Sequence, residues 1–302
     1  MLRTALIAGL VLAAPAAGQT PDLVPQAFEL ETPDGVYIEE IPSVAVSADE
    51  ERIYLFNRGR NALLVFDAEG RYLDEIGEGL FEKPHAVRID ADGNVWTADV
   101  ESHLVIQFST DGEVLSVYGF RGQASPGWYD RGYNHLFLNE PSDVAFDSDG
   151  NLYIADSRNY RIVKFNADGD LVSTFGEEGD GPGQFNFPHS LVVDTRGRLL
   201  VADRENQRIQ VFSLDGEYIT AWTDVGYPYM LALDPDGSVW ATDARNEQIL
   251  HLNARGEVLE RLGGPGRQVG EYNFIHDVQP FAGGLLVTDI LNWKIDFWAP
   301  ED

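Results

Sequence analysis

Cysteine is absent from all 302 residues. No disulfide framework and no thiolate-ligated metal site can therefore be built from this chain. Cationic residues are scarce: 21 Lys and Arg stand against 50 Asp and Glu, a formal charge of −29. Such a balance repels phosphate backbones and anionic lipid, which excludes nucleic acid and membrane surfaces as partners and reads as a solvated acidic exterior. Helical periodicity is missing too, since no segment after the first twenty residues sustains a 3.6-residue repeat. The apolar run Ala5 to Ala13 is too short to span a bilayer stably. It follows a positive start, Met1-Leu-Arg-Thr, and precedes the small residues Ala14-Pro-Ala-Ala-Gly-Gln. This is the layout of a bacterial-type export signal over residues 1–18. A mature chain over residues 19–302, working in the periplasm or outside the cell, is expected.

What the chain has instead is an internal repeat. One unit runs His85-Ala-Val-Arg-Ile-Asp90, Val95-Trp-Thr-Ala-Asp99 and Leu104-Val-Ile-Gln-Phe108; the next contains Asn151-Leu-Tyr-Ile-Ala-Asp156 and Arg161-Ile-Val-Lys-Phe165. The alternation and the β-branched and aromatic content predict strands, and pairs such as Asp92-Gly93, Asp149-Gly150 and Asp236-Gly237 predict hairpin turns. Copies begin at Ser43, His85, Ser142, His189, Tyr229 and His276. Six copies of roughly 40–50 residues, each of four short strands, predict an all-β, six-bladed β-propeller forming a single domain. The last copy ends after three strands, so Ala27-Phe-Glu-Leu-Glu31 is expected to supply its fourth and close the ring.

His85, His189 and His276 occupy one repeat position in every second copy. In a ring of six, they would approach the axis from three sides. Three neutral imidazoles leave an open fourth position on zinc, the catalytic rather than the structural pattern, and also suit copper, nickel or iron. The plainer reading is three polar channel residues without a metal. The residue after the Asp that ends each second strand is Arg58 in the first unit and Arg204 in the fourth. Arginine there could clamp a carboxylate bidentately or make a surface salt bridge. The Asp and Asn of Asp156-Ser-Arg-Asn-Tyr-Arg-Ile162 are expected to satisfy turn backbone groups. His103 and His251 fall at surface or outer-blade positions. The longest insertion, Phe120 to Glu140, carries Trp128, Tyr129, Tyr133 and His135, and a long loop on a rigid ring tends to shape a binding mouth.

The Asp-x-x-Asn-x-Arg-Ile pattern resembles NHL-repeat propellers. More narrowly, Lys83-Pro-His-Ala-Val87, Asp92-Gly-Asn-Val-Trp-Thr-Ala-Asp-Val100, Gly183-Gln-Phe-Asn-Phe-Pro-His-Ser-Leu191 and Val201-Ala-Asp-Arg-Glu-Asn-Gln-Arg-Ile-Gln210 resemble the peptidyl-α-hydroxyglycine α-amidating lyase family. The likeness runs from about Val44 to the C-terminus. It implies zinc held by His85, His189 and His276, and a structural calcium held by Asp277 and backbone carbonyls including that of Val87. It implies catalytic roles for Arg58 and Arg204. The implied reaction cleaves the N–Cα bond of a C-terminal α-hydroxyglycine on a peptide or small-molecule substrate, giving an amide and glyoxylate. The chain departs from the family where a catalytic Tyr is expected, because Arg158 stands there; Tyr160 and, on weaker grounds, Tyr133 are the candidates to take its role. Phe274 stands where the family has Met, and the family's disulfides are absent. Two further readings remain open: a metal-dependent hydrolase or lactonase on the same ring, and a non-catalytic propeller that binds peptide, glycan or protein.

Overall fold

A computed structural model describes residues 22–124 and 137–301. Six four-stranded antiparallel sheets follow one another along the chain. Each innermost strand lies against the innermost strand of the next sheet, and that of the first blade lies against that of the sixth, so the ring closes. The sheets cannot bury both faces alone, and they do so against each other. Six apolar clusters result, one at each junction of adjacent blades, that between the second and third also taking in Met230 of the fifth, with residues such as Phe108, Tyr153 and Trp240 fully enclosed. Burial of each such side chain contributes roughly 1.5–3 kcal/mol, so the blade junctions dominate the fold's stability.

Ring closure is as expected in kind and shifted in place. Leu23–Ala27, rather than Ala27–Glu31, pairs antiparallel with Lys294–Pro300 of the sixth blade. The reason is apolar. Phe28 and Leu30 turn inward against Ile41, Phe66 and Phe281 at the junction of the sixth and first blades, and Glu31 bridges to Arg71 of the first blade. An outer strand would have left both side chains in water.

The Asp that ends each second strand is structural. Asp203 is buried and accepts from the Asn186 amide (2.7 Å), Asn206 Nδ2 (2.9 Å), Arg208 Nε (2.8 Å) and Gln210 Nε2 (3.1 Å). Asp156 repeats the pattern with Asn139, Asn159 and Arg161. In the first blade Asn57 substitutes, accepting from Glu39 N and donating to the carbonyls of Asn61 and Tyr37. These anchors hold the loops that carry Arg58 and Arg204.

The inner strands aim the axial residues. In five blades the register slips at the repeat position in question, between Pro84 and Ala86, Pro141 and Asp143, Pro188 and Ser190, Pro228 and Leu231, and Ile275 and Val278. A bulge leaves the extra residue unpaired and re-aims its side chain. His85, Ser142, His189, Tyr229 and His276 are the residues so released. His251 is not a surface residue: it is buried on the third strand of the fifth blade, stacked 4.0 Å from Trp240 and bonded to Ser238 Oγ.

Candidate metal centre and channel mouth

The three bulged histidines meet. Their rings lie 4.7 Å (His85–His189), 5.0 Å (His85–His276) and 5.4 Å (His189–His276) apart between centroids. Each uses one ring nitrogen on the backbone of the neighbouring blade. His85 Nδ1 lies 2.6 Å from the Ser142 carbonyl, His189 Nδ1 2.9 Å from that of Tyr229, and His276 Nδ1 2.6 Å from that of Pro42. A carbonyl oxygen only accepts, so each Nδ1 carries the proton and each neutral ring presents a bare Nε2 lone pair. The three ligand atoms lie within 4.8 Å of one another, and the Nε2 atoms of His85 and His189 are 3.2 Å apart. Lone pairs so placed repel unless a cation lies among them. Two nitrogens each bound at about 2.05 Å to a tetrahedral ion sit about 3.3 Å apart. The donor set therefore fits a transition-metal ion, and the backbone carbonyls supply the outer contacts that fix ring orientation.

Burial pushes the His85 pKa from its ordinary 6.5 down to about 3, helped by the positive charges of Arg58, Arg204 and Arg88. His189 and His276 are likewise held well below 6.5, first by burial and then by the neighbouring imidazoles and arginines. All three are thus neutral ligands at ordinary pH. The consequence for stability has a definite sign. Below about pH 6.5 the unfolded chain takes up protons at these histidines that the folded chain refuses, so acid favours unfolding. Urea denaturation of metal-free protein should show stability falling from pH 6.5 toward pH 3, with no contribution from the trio above that window. A His85→Asn/His189→Asn/His276→Asn variant should show a shallower fall between pH 6 and 5, and an unchanged slope would contradict the assignment.

The arginines gather at the same mouth. Arg58 donates Nε to the carbonyl of Pro84, the residue before His85 (2.9 Å), and pairs with Glu40 (3.3 Å). Arg204 lies over Phe187 (4.2 Å to the ring centroid) and Tyr229 (4.9 Å), and it pairs with Glu205 (2.8 Å). Glu205 also accepts from the Tyr227 hydroxyl. Tyr229 fills the histidines' repeat position in the fifth blade, its ring 4.6 Å from His189 and 5.4 Å from His276. Phe274 stacks edge-on against Tyr229 and His276. Phe187, Tyr227, Tyr229 and Phe274 form an aromatic wall that only the fold assembles, although Tyr229 shares the histidines' position in the repeat.

Not every candidate joins this group. Tyr160 sits in the left-handed region at φ 54°, closing a short 3-10 turn, and its ring packs against the cluster of Ala145, Ile162 and Phe185 between the third and fourth blades. That backbone turn directs it away from the histidines. Arg158 instead lies over the far side of the mouth, 4.8 Å from the Phe187 ring centroid and paired with Glu140. Asp277 and the Val87 carbonyl do lie near the axis, but both accept from Arg88 Nη1 at 3.0 Å. These two oxygens already serve a cationic side chain and do not fit a calcium ion. Tyr133, His135 and residues 1–18 lie outside the described residues. Among the described residues no helix is long and apolar enough to cross a membrane.

The chain is a six-bladed β-propeller containing NHL repeats: residues 138–165 and 185–212 match the NHL repeat, and residues 25–115 match a family described as a 6-bladed beta-propeller. Its curated relatives include proteins named as amidating enzymes. It is 33% identical over 112 residues to the probable peptidyl-alpha-hydroxyglycine alpha-amidating lyase pgal-1 of Caenorhabditis elegans, covering 37% of this chain and 30% of that protein. It is 39% identical over 136 residues to the peptidylglycine alpha-amidating monooxygenase of Rattus norvegicus, covering 42% of this chain and 13% of that one. The match thus spans less than a third of either relative. Among solved structures, a gluconolactonase from Xanthomonas campestris superposes with a TM-score of 0.68 at 13% identity, covering 96% of this chain and 98% of that one, a likeness of fold.

Proposed function

We propose that this chain is an exported, zinc-dependent lyase that cleaves the N–Cα bond of a C-terminal α-hydroxyglycine, releasing an amide and glyoxylate. The observation that carries this reading is the convergence of three Nε2 lone pairs beside two arginines, on a chain whose relatives include proteins named amidating lyases. His85, His189 and His276 would hold the metal. Bound there, zinc would supply a Lewis acid with an open position for a substrate oxygen. Arg204 and Arg58 would bind the carboxylate of the departing glyoxylate. Phe187, Tyr229 and Phe274 would wall the substrate from water, which strengthens those charge contacts. In the overall reaction the substrate hydroxyl gives up its proton as its C–O bond becomes the carbonyl of glyoxylate. The N–Cα electron pair passes to the amide nitrogen, which takes up a proton, so no oxidant is required.

The test is direct. Metal-loaded protein incubated with α-hydroxyhippurate should release benzamide and glyoxylate in equal amounts, at least a hundredfold above the His85→Ala variant. Release no faster than that control rejects the lyase. One observation favours a second reading, a metal-dependent hydrolase or lactonase: Arg158 occupies the expected base position and Tyr160 packs away from the histidines. Ester or lactone turnover without glyoxylate would select it.

A further inference from the structure

One buried cation neither holds the metal nor meets the substrate in the proposed reaction. Arg88 leaves the inner strand of the second blade three residues after His85, and its side chain is 12% exposed. Its guanidinium grips Asp143 of the third blade through Nε to Oδ1 (3.0 Å) and Nη2 to Oδ2 (3.1 Å). Through Nη1 it reaches Asp277 Oδ2 of the sixth blade (3.0 Å), the Val87 carbonyl (3.0 Å) and Ser43 Oγ of the first blade (3.3 Å). Both carboxylates are fully enclosed. Their remaining lone pairs are taken up by Ser43 Oγ on Asp277 (2.5 Å), Ser190 Oγ on Asp143 (2.6 Å), and the amides of Val144 and Val278. One side chain thereby ties four blades together directly, and a fifth partner, Ser190 of the fourth blade, through Asp143.

The electrostatics demand a cation here. Two carboxylates removed from water each carry a desolvation cost of several kcal/mol, which only a close counter-charge offsets. A divalent ion could meet that need, but calcium takes six to eight oxygens at about 2.3–2.6 Å. Asp277 Oδ2 and the Val87 carbonyl already share Nη1, and any ion bound to both would face the guanidinium within about 6 Å. We infer that Arg88 is the resident cation of this ring, a covalently attached substitute for a structural calcium ion, and that the ring closes and stays closed without calcium. The planar fork suits the task because it meets one carboxylate with two bonds and the other with a third, which lysine cannot do.

The experiment compares the full-length wild type with Arg88→Gln, both stripped with chelator and reloaded with zinc. Thermal melting is followed with and without 1 mM calcium chloride, and retained calcium is measured by elemental analysis after gel filtration. The wild type should retain no calcium and melt at the same temperature in both conditions. Arg88→Gln should melt about 10 °C lower, and calcium should raise its melting temperature by several degrees, because the two carboxylates then lack a partner. Calcium retained by the wild type, or a wild-type melting point that calcium raises, would overturn the inference. So would equal responses to calcium in the two proteins, or an Arg88→Gln melting point equal to that of the wild type. If Arg88→Gln does not fold, Arg88→Lys replaces it, with an expected melting point below that of the wild type and a rise on adding calcium that the wild type lacks, and the wild-type measurements stand without any variant.

Discussion

Replacing any one of His85, His189 or His276 with alanine is expected to reduce bound transition metal from about one ion per chain to near zero. Each histidine supplies one of three lone pairs that lie within 4.8 Å of one another, and no carboxylate belongs to that cluster among the described residues. A two-imidazole remnant must fill its coordination with water, and binding weakens by orders of magnitude. The effect reads out twice. Elemental analysis after gel filtration should find metal in the wild type alone. Metal added at about a thousandfold over its dissociation constant stabilises a folded state by about 4 kcal/mol, so the wild type should gain roughly 8–12 °C in melting temperature that each variant lacks. Equal metal content in the wild type and all three variants would remove the basis of the functional reading.

The second large effect concerns Arg204. Its Nε and Nη2 are committed to Glu205, while Phe187 and Tyr229 fix the plane of the guanidinium. Nη1 meets no hydrogen-bond acceptor among the described residues, which leaves a donor facing the mouth. Truncating one partner of a desolvated charge pair costs about 2–5 kcal/mol. Arg204→Ala is therefore expected to lower kcat/KM on α-hydroxyhippurate by about a hundred- to a thousandfold. Arg204→Lys should recover part of this loss, since it keeps the charge but not the stacked plane. A substrate whose carboxylate is esterified should lose far less. Equal losses on the acid and its ester would show that Arg204 supports the mouth rather than the carboxylate.

Much of this was open to sequence reasoning because it is local. Alternation within Leu152–Asp156 and the turn at Asp149-Gly150 depend on neighbouring residues alone, as does the Asp156–Asn159 anchor of the loop that follows. The histidines were legible because the repeat supplies its own ruler: His85, His189 and His276 hold equivalent positions in blades two, four and six. Tyr160 shows the limit. Its place two residues beyond Arg158 suggested the mouth, but a left-handed backbone at that residue turns the ring into the core between blades. The N-terminal strand shows another. Ala27–Glu31 alternates and Leu23–Ala27 does not, yet the burial of Phe28 and Leu30 at the ring junction leaves the outer pairing to Leu23–Ala27.

The order of residues alone determined the number of blades, the slot that faces the axis and the three imidazoles in it, since strand period, turn chemistry and repeat spacing need no distant partner. Only the closed ring decided which groups surround them. Arg88 meets Asp277 across 189 positions of chain, and His276 reaches the carbonyl of Pro42 across 234. Those contacts exist because the sixth blade returns to the first; the repeat predicts that return, but no local pattern encodes which side chains meet there. Burial then follows from closure, and with it the neutral histidines and the enclosed carboxylates that require a cation.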